Sequence, residues 1–362
     1  MRSISPRLLT LSILLTPALT WAGPREDALK SYDEGLAAVK KQDTARAIPQ
    51  FNKALQLDPN NADIYNSRGQ SYLTLHDPDK AIEDFSSAIR LKPKEARGYR
   101  HRGSAYLGKH DLDHAIADLT RAVQLDPKDA TAYRYRAAAY TLRQDGKRAI
   151  DDYTAAIRLE PKSAELYTLR GTAEGARLDY KKAFADFAEA LRLDPKSAVT
   201  YYARGTAYAQ QQDYDKAIAD FTRAVALNPQ DSFAYYDRGN LYAAKKDFER
   251  ALADYQRAIT ADPEEPFAYF ALAWIRATCP RADLRDGKLA VACARKGCEV
   301  SADQLSEGFT ALAAALAETG DFAGAVEWQQ KALDSSEHFP KPQLETMRSR
   351  LELYKGRKPC RE

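Results

Sequence analysis

The sequence repeats itself with a period of 34 residues, and this period limits the possible folds more than any other feature. Its clearest marker is a proline that returns at that interval, as Pro59, Pro93, Pro127, Pro161, Pro195, Pro229 and Pro263. A fixed period of this length is typical of arrays in which one supersecondary unit stacks on the next. We therefore expect an elongated array over most of the 362 residues, in place of two or three ordinary globular domains.

Each repeat contains two helical stretches. In the second stretch of the sixth repeat, apolar residues follow the spacing of one helix face, as Ala217, Ile218, Phe221, Ala224 and Val225. This helix is predicted to end near Asn228, because Pro229 disfavours helical geometry in the residue before it. Since another helical stretch precedes it, the repeating unit is predicted to be a hairpin of two helices.

Small side chains recur at three positions of the repeat, counted from Ala28. Position 8 is glycine, or alanine in one repeat, and positions 20 and 27 are alanine. Without bulk there, the two helix backbones are expected to approach closely, and a large residue at position 24, aromatic in most repeats, fills the remaining space. An aspartate near the start of each second helix is expected to cap its free N–H groups. These aspartates are Asp43, Asp77, Asp111, Asp145, Asp179, Asp213, Asp247 and Asp321.

From the second repeat onward, position 7 is arginine and position 23 is aspartate. The arginines are Arg68, Arg102, Arg136, Arg170, Arg204 and Arg238, and the aspartates are Asp84, Asp118, Asp152, Asp186, Asp220 and Asp254. Each pair, 16 residues apart across a hairpin, is expected to form an ion pair. Because the pairs are all alike, we interpret them as architecture and not as a catalytic site.

Together these features resemble the tetratricopeptide repeat, which has Gly or Ala at position 8, Tyr at 11, Ala at 20, an aromatic residue at 24, Ala at 27 and Pro at 32. The resemblance runs without a gap from residue 28 to about 265, with departures at Ala38, Leu119 and Glu174. It implies an all-α fold, a right-handed superhelical solenoid of helical hairpins. It also implies that the first helices line a concave groove that binds peptides or protein segments.

The N-terminus has the pattern of a secretory signal peptide. Arg2 and Arg7 precede an apolar stretch that ends near Ala22, after which cleavage is expected. The stretch is interrupted by Pro17 and is shorter than the about 20 residues that a membrane-spanning helix needs. We therefore expect export to the bacterial periplasm and no integral membrane span after signal removal. Without those two arginines the net charge of +3 falls to +1, which excludes a general nucleic-acid binder.

The C-terminal part follows the repeat pattern less closely. We assign residues 1–22 to the signal peptide, 23–265 to seven regular repeats, 266–338 to two degenerate hairpins, and 339–362 to a capping helix and tail. The segments LAWIRATCP, LRDG and LELYKGRKPCRE are similar in order and spacing to a closing module of bacterial tetratricopeptide proteins. This similarity implies a bacterial envelope setting.

The groove-facing side chains are expected, by analogy with the family, at positions 2, 5, 6 and 9 of each first helix. In the third and fourth repeats this face is basic and includes Arg97, Arg100, His101, Arg134 and Tyr135. In the sixth to eighth repeats it is aromatic and includes Tyr202, Phe233, Tyr236, Asn240, Phe267, Phe270 and Trp274. Because arginine and aromatic residues are enriched at binding hot spots, the face predicts a partner segment with an acidic patch next to apolar anchors. The alternative, a solvated face with a few aromatics buried by neighbouring helices, stays open.

All the cysteines lie in the C-terminal module, as Cys279, Cys293, Cys298 and Cys360. Disulfides are expected in an exported chain, and four cysteines allow three pairings. From the residue facing Cys279 across the turn, Cys293 is offset by about 6 Å and Cys298 by about 14 Å. This favours Cys279 with Cys293, which leaves Cys298 for Cys360. Neither a C-x-x-C motif nor a paired histidine supports zinc binding.

The sequence contains no arrangement that indicates catalysis or a cofactor. It lacks H-E-x-x-H, G-x-S-x-G, a P-loop and a dinucleotide fingerprint. His110 and His114 have a metal-compatible spacing, but His110 repeats the turn position of His76. We therefore predict a non-enzymatic protein-interaction scaffold or adaptor of the cell envelope. The alternative is a periplasmic assembly factor or chaperone-like holder for secreted or envelope-machinery proteins.

Overall fold

The computed structural model describes residues 22–302, 305–336 and 339–362. These residues form nineteen α-helices and one short 3-10 turn, and no strand is found among them, so the all-α prediction is confirmed. The predicted signal peptide, residues 1–22, lies outside the described residues except for Ala22. The chain divides after Pro161 into two compact units, which are described separately.

The first unit contains four helical hairpins. Their helices are α1 (Ala22–Lys40), α2 (Thr44–Leu57), α3 (Ala62–Thr74), α4 (Pro78–Leu91), α5 (Ala96–Gly108), α6 (Leu112–Leu125), α7 (Ala130–Leu142) and α8 (Gly146–Leu159). Within each hairpin the two helices are packed together, and the second helix of one hairpin also packs on the first helix of the next.

The second unit contains five hairpins and a final helix, packed in the same order. Its helices are α9 (Ala164–Ala176), α10 (Tyr180–Leu193), α11 (Ala198–Gln210), α12 (Tyr214–Leu227), α13 (Ser232–Ala244), α14 (Phe248–Ala261), α15 (Pro266–Thr278), α16 (Gly287–Val300), α17 (Ser306–Glu318), α18 (Phe322–Asp334) and α19 (Lys341–Lys355). A 3-10 turn, Ala282–Leu284, lies in the longer connection between α15 and α16. The last helix, α19, packs on α18.

The turn inside each regular hairpin has one residue in the left-handed backbone region. These residues have φ between 58° and 65°, and they are Gln42, His76, His110, Gln144, Leu178, Gln212 and Lys246. The ninth hairpin has Gly320 there, with φ of 87°. The following aspartate caps the second helix in every case, as predicted. His110 is thus a turn residue, and neighbouring Asp111 contacts His114 Nδ1 at 2.8 Å.

The close approach of the two helices in each hairpin is also confirmed. A Cβ built on Gly35 would lie 2.5 Å from the Phe51 ring, and one built on Gly205 would lie 2.8 Å from the Phe221 ring. Both distances are too short for real atoms. The residue at position 8 therefore has to stay small wherever a ring at position 24 packs against it.

The arginine–aspartate ladder forms as expected. In each pair, arginine Nε and Nη2 donate to the two carboxylate oxygens of the aspartate at 2.6–2.9 Å. In four of the ladder arginines, Nη1 makes a further bond to the second helix of the preceding hairpin: Arg68 with Asn52 at 2.6 Å, Arg102 with Ser86 at 3.0 Å, Arg136 with Thr120 at 3.3 Å and Arg238 with Thr222 at 3.0 Å. Each such arginine therefore joins three helices through one planar group.

We predict that replacing Arg136→Met lowers the free energy of unfolding of the chain by about 3 kcal/mol, because Asp152 is then left buried without its ion-pair partner. Adding Asp152→Leu should recover part of this loss, since no unpaired charge remains. Urea denaturation followed by circular dichroism measures both effects.

The matched control is Arg143→Met at the end of the same helix. Its ion pair with Asp113 is exposed, so a loss below about 1 kcal/mol is expected. Equal losses in the two single variants would contradict the structural role of the ladder.

The ninth hairpin has a buried amide where the regular hairpins have a large apolar or aromatic side chain. Gln329 occupies position 24 and is fully buried, and neither its Oε1 nor its Nε2 has a hydrogen-bond partner among the described residues. Ala325 and Ala332, on the same face of α18, keep the small residues of the pattern. Burying an amide without hydrogen bonds costs about 1–3 kcal/mol.

We predict that Gln329→Met, which keeps the side-chain volume and removes the amide, stabilises the protein by about 1 kcal/mol. Thermal unfolding should show a higher Tm for this variant. Gln330→Met on the exposed side of α18 is the control and should leave Tm nearly unchanged. A lower Tm for Gln329→Met would show that the amide is satisfied in solution.

Candidate functional site

A cleft with an aromatic lining lies in the second unit. It has a volume of about 520 Å³ and is formed by the first helices of three successive hairpins, α13, α15 and α17, together with α19. Its apolar lining includes Tyr236, Phe267, Phe270, Trp274, Phe339 and Met347, and its polar lining includes Glu307, Thr310, Gln343, Thr346 and Arg350. We call this site the aromatic cleft.

Helical spacing accounts for the aromatic lining from α15. Phe267, Phe270 and Trp274 follow one another at intervals of three and four residues, so they share one face of the helix. Phe267 is 38% exposed, and its ring centroid lies 6.4 Å from that of Tyr236 on α13. The cleft therefore leaves aromatic surface open to a partner.

Phe270 is mainly a core residue, although its edge reaches the aromatic cleft. In the eighth hairpin, position 24 is Ala294, which is too small to fill the core. The ring of Phe270 fills this space from the first helix, and a Cβ built on Gly297 or Gly308 would lie 2.4 or 2.7 Å from it. Phe270 is accordingly 4% exposed, which agrees with the alternative of an aromatic buried by its neighbours.

The wall of the aromatic cleft on α19 is held by a charged group whose contacts lie within the chain. The Arg350 guanidinium lies 4.4 Å from the centre of the Trp274 ring and donates two hydrogen bonds to Glu362, at 3.0 and 2.7 Å. The Glu362 amide donates to the carbonyl oxygen of Thr278, at the end of α15, at 3.0 Å. The tail thus ties α19 to α15, and the positive charge of Arg350 is offset.

A second side of the aromatic cleft is acidic. Burial raises the pKa of Tyr236, a hydrogen bond with Asn240 lowers it, and the negative charges of Asp237, Glu265 and Glu307 raise it further. Glu265 accepts the amide hydrogen of Phe267, and Glu307 accepts from Ser306. Among the described residues, neither glutamate forms an ion pair. This side therefore retains negative charge.

Comparison with known protein families decides what kind of chain carries this site. The profile of one tetratricopeptide repeat family matches residues 32–96, 101–163, 143–198 and 202–266, and a second tetratricopeptide profile matches residues 309–338. The chain belongs to the tetratricopeptide repeat family. No curated protein matches it.

Solved structures show the same tetratricopeptide fold. A tetratricopeptide repeat protein from Parabacteroides merdae ATCC 43184 is 19% identical, with 68% of this chain and 98% of that chain covered and a TM-score of 0.58. The structure of the APC/C hetero-tetramer Cut9-Hcn1 contains a chain that is 18% identical, with 80% and 55% covered and a TM-score of 0.56. The pilF protein of Pseudomonas aeruginosa is 18% identical, with 57% and 94% covered and a TM-score of 0.51. At these identities the likeness shows the fold alone.

In the second unit of this tetratricopeptide protein, the predicted groove residues have different roles. Tyr236 lines the aromatic cleft, and Phe233 is 54% exposed near the start of the same helix. Tyr202 donates a hydrogen bond to Asp237 at 2.8 Å, and Asn240 accepts one from Tyr255 at 2.9 Å. The first two thus present surface to solvent, whereas the last two have polar contacts within the chain.

In the first unit, the predicted basic residues already have partners. Arg97 pairs with Asp63 and Arg100 pairs with Asp129, each at 3.2 Å. The guanidinium of Arg134 lies over the Tyr135 ring, 4.7 Å from its centre. Arg97 and Arg100 therefore present less positive charge to a partner than the sequence pattern indicates.

His101 does not add to that charge. Its ring stacks on Phe85 with a centroid distance of 5.3 Å. Burial, with the nearby charges of Arg100 and Arg97, lowers the pKa of His101 to about 4. The imidazole is therefore neutral near pH 7.

Sequence reasoning missed the cleft residues that come from α17 and α19. Glu307, Thr310, Met347 and Arg350 lie outside the regular repeats, and no period relates them to the groove positions. The amphipathic pattern of α19 predicts a covering helix, but it does not predict which side chains meet α15.

The cysteines of the C-terminal module have different surroundings. Cys279 is buried at the end of α15, and Cys298 lies near Phe270 and Gly308. Cys360 lies in the tail, where burial and the neighbouring Glu362 raise its pKa to about 11. Cys279, Cys293 and Cys360 are thiols in this structure. The two disulfide pairings are therefore not formed here and stay predictions.

No helix of the described residues is both long enough and apolar enough to cross a membrane. Within the same residues, no group of three or more histidine, cysteine, aspartate or glutamate side chains is arranged to hold a metal ion.

Proposed function

We propose that this tetratricopeptide protein is a non-enzymatic interaction scaffold of the bacterial cell envelope, which binds extended protein segments along the faces of its first helices. The observation that carries the proposal is the aromatic cleft, where Phe267 and Trp274 line a space of about 520 Å³. Aromatic side chains that stay accessible in a concave site are typical of binding surfaces.

The contacts of the charged side chains favour binding over catalysis. The buried ladder aspartates are all held by arginines in the same way, so none stands apart as an acid or base. The aspartates that begin the second helices are used as caps. The remaining function of such a chain is to hold surfaces in place.

The mechanism we propose is display on a rigid support. The ring packed against glycine fixes the two helices of a hairpin, and an arginine such as Arg102, which joins three helices, fixes that hairpin on the preceding one. A surface fixed in this way loses little conformational entropy when a segment binds, so more of the contact energy appears as affinity.

Export is the second part of the proposal, and intact mass spectrometry tests it. When the gene is expressed in a Gram-negative host and the periplasm is alkylated without reductant, we expect a chain that begins at Gly23 and carries no alkyl group. The first expectation follows from the signal pattern. The second follows from disulfide formation in an oxidising compartment, with Cys279 joined to Cys293 and Cys298 joined to Cys360.

A reduced sample is the control and should take up one alkyl group for each cysteine. Retention of residues 1–22 in the cytoplasm would contradict export, and alkylation of all the cysteines without reductant would contradict the disulfides.

Photo-crosslinking in the native host tests the binding role. A photoreactive phenylalanine analogue at position 267 should crosslink one protein in a fixed ratio, because this side chain lies open in the aromatic cleft. The same analogue at position 178, an exposed turn residue of the same unit, is the control and should give no such product. Trp274→Ala should reduce the product from position 267.

The pattern of products separates the two envelope roles. Many crosslinked clients whose yield falls with salt would favour an assembly factor or chaperone-like holder over a scaffold. The same products from positions 267 and 178, unaffected by Trp274→Ala, would contradict binding in the aromatic cleft.

A further inference from the structure

We infer that the aromatic cleft binds a protein segment in which apolar anchor residues are flanked by lysine or arginine. This inference rests on the proposed function, because it assumes that the cleft takes a protein segment. It reverses the charge expected from the sequence, where the basic face of the third and fourth repeats indicated an acidic partner.

The floor of the aromatic cleft supplies the apolar part of the recognition. The Phe267 and Phe270 rings are perpendicular, with centroids 6.4 Å apart, and Trp274 continues the same face of α15. Met347 of α19 also lines the cleft. The volume of about 520 Å³ is within the usual range for sites that enclose a ligand, and it suits a few large side chains.

Among the described residues that line this cleft, Arg350 is the only basic one, and its charge is offset. The carboxylate of Glu362 accepts two hydrogen bonds from Arg350 at 3.0 and 2.7 Å, and the guanidinium lies over Trp274. An acidic partner would have to compete with Glu362 for this arginine. The contact therefore gives little attraction for a negatively charged segment.

The carboxylates on the acidic side of the cleft, Glu307 and Glu265, are not neutralised by a basic partner among the described residues. Glu307 is exposed, and its described polar contact is the Ser306 hydroxyl at 3.3 Å. Glu265 caps the start of α15 through the Phe267 amide and forms no ion pair among the described residues. Glu307 lines the cleft, and Glu265 accepts the amide hydrogen of Phe267, which also lines it. A lysine or arginine there would meet two carboxylates and the faces of Tyr236 and Phe267, which attract cations.

The basic face of the first unit does not provide a competing site for acidic segments of equal strength. Asp63 and Asp129 already accept hydrogen bonds from Arg97 and Arg100. Uncompensated charge next to open aromatic surface is therefore found in the aromatic cleft, and it is negative.

The test uses two fluorescent peptides of roughly ten residues, with the same leucine and phenylalanine anchors and with flanking residues that are all lysine or all glutamate. Fluorescence anisotropy with the full-length protein measures the Kd of each peptide. We expect the lysine-flanked peptide to bind about tenfold more tightly at low salt, with a smaller difference at high salt. Glu307→Gln should remove most of the difference, and Trp274→Ala should weaken both peptides.

Glu264→Gln is the matched control. Glu264 is exposed and is the neighbour of Glu265 in the sequence. Its charge acts on Tyr269 and Lys296, which do not line the cleft. This variant should keep the preference for the lysine-flanked peptide. Circular dichroism melting of each variant shows whether a loss of binding reflects a loss of folding.

Three results would overturn the inference. Equal affinities for the two peptides, or tighter binding of the glutamate-flanked one, would leave the proposed binding role intact and reject the basic partner. Binding of neither peptide would reject the partner chemistry, and the crosslinks from position 267 would then decide the binding role separately. Self-association of the protein that the lysine-flanked peptide inhibits would assign the cleft to a second copy of the chain.

Discussion

The packing of a large side chain against a glycine or alanine within each regular hairpin is the contact on which the array depends. Where a Cβ at Gly205 would meet the Phe221 ring at 2.8 Å, no larger residue fits without moving one helix away from the other. The separation of the two helices is therefore fixed, and with it the position at which the next hairpin packs. The ladder arginines then hold neighbouring hairpins together, as Arg136 does by bonding both Asp152 and Thr120. A change at either contact would alter the spacing of the surfaces that neighbouring hairpins present.

The aromatic cleft arises where this contact is replaced. In the eighth hairpin, Ala294 leaves the core position nearly empty, and Phe270 turns inward from the first helix to fill it. Gly297 and Gly308 give the ring its space, so α16 and α17 both approach α15 closely. Phe267 and Trp274, on the same face of α15, line the cleft, and Arg350 of α19 packs on the Trp274 ring. The irregular core and the open aromatic surface thus have one structural cause.

The regular features could be predicted from the sequence because the period states them several times. The helix pairs, the capping aspartates and the Arg–Asp pairs all depend on contacts inside one repeat or with its nearest neighbour. The left-handed turn could not be predicted, since residues as different as Leu178 and Lys246 occupy it and glycine does so only in the ninth hairpin. The neutralisation of Arg97 and Arg100 could not be predicted either. Asp63 belongs to the preceding repeat and Asp129 is the last residue of the same repeat, and neither is at a position that the pattern singles out. Likewise, the wall formed by Met347 and Arg350 depends on how α19 folds back, and that helix occurs once.

Some features recur in the regular repeats and others occur once near the C-terminus. This difference indicates which residues determine binding specificity in this chain. The side chains that recur in the regular repeats hold the array together. Where they are charged, as in the Arg–Asp pairs, the charge is neutralised by a partner inside the chain. The final hairpins are free of that constraint, because Leu272 and Ala273 replace the arginine and glycine of the regular pattern. An array also needs a cover for its last hairpin, and α19 supplies one while its own side chains become part of the cleft. The contact of Arg350 with Trp274 and Glu362 therefore serves both purposes: it holds the covering helix in place and removes positive charge from the site. The carboxylates of Glu265 and Glu307 are left to set the sign of the charge that a bound segment meets.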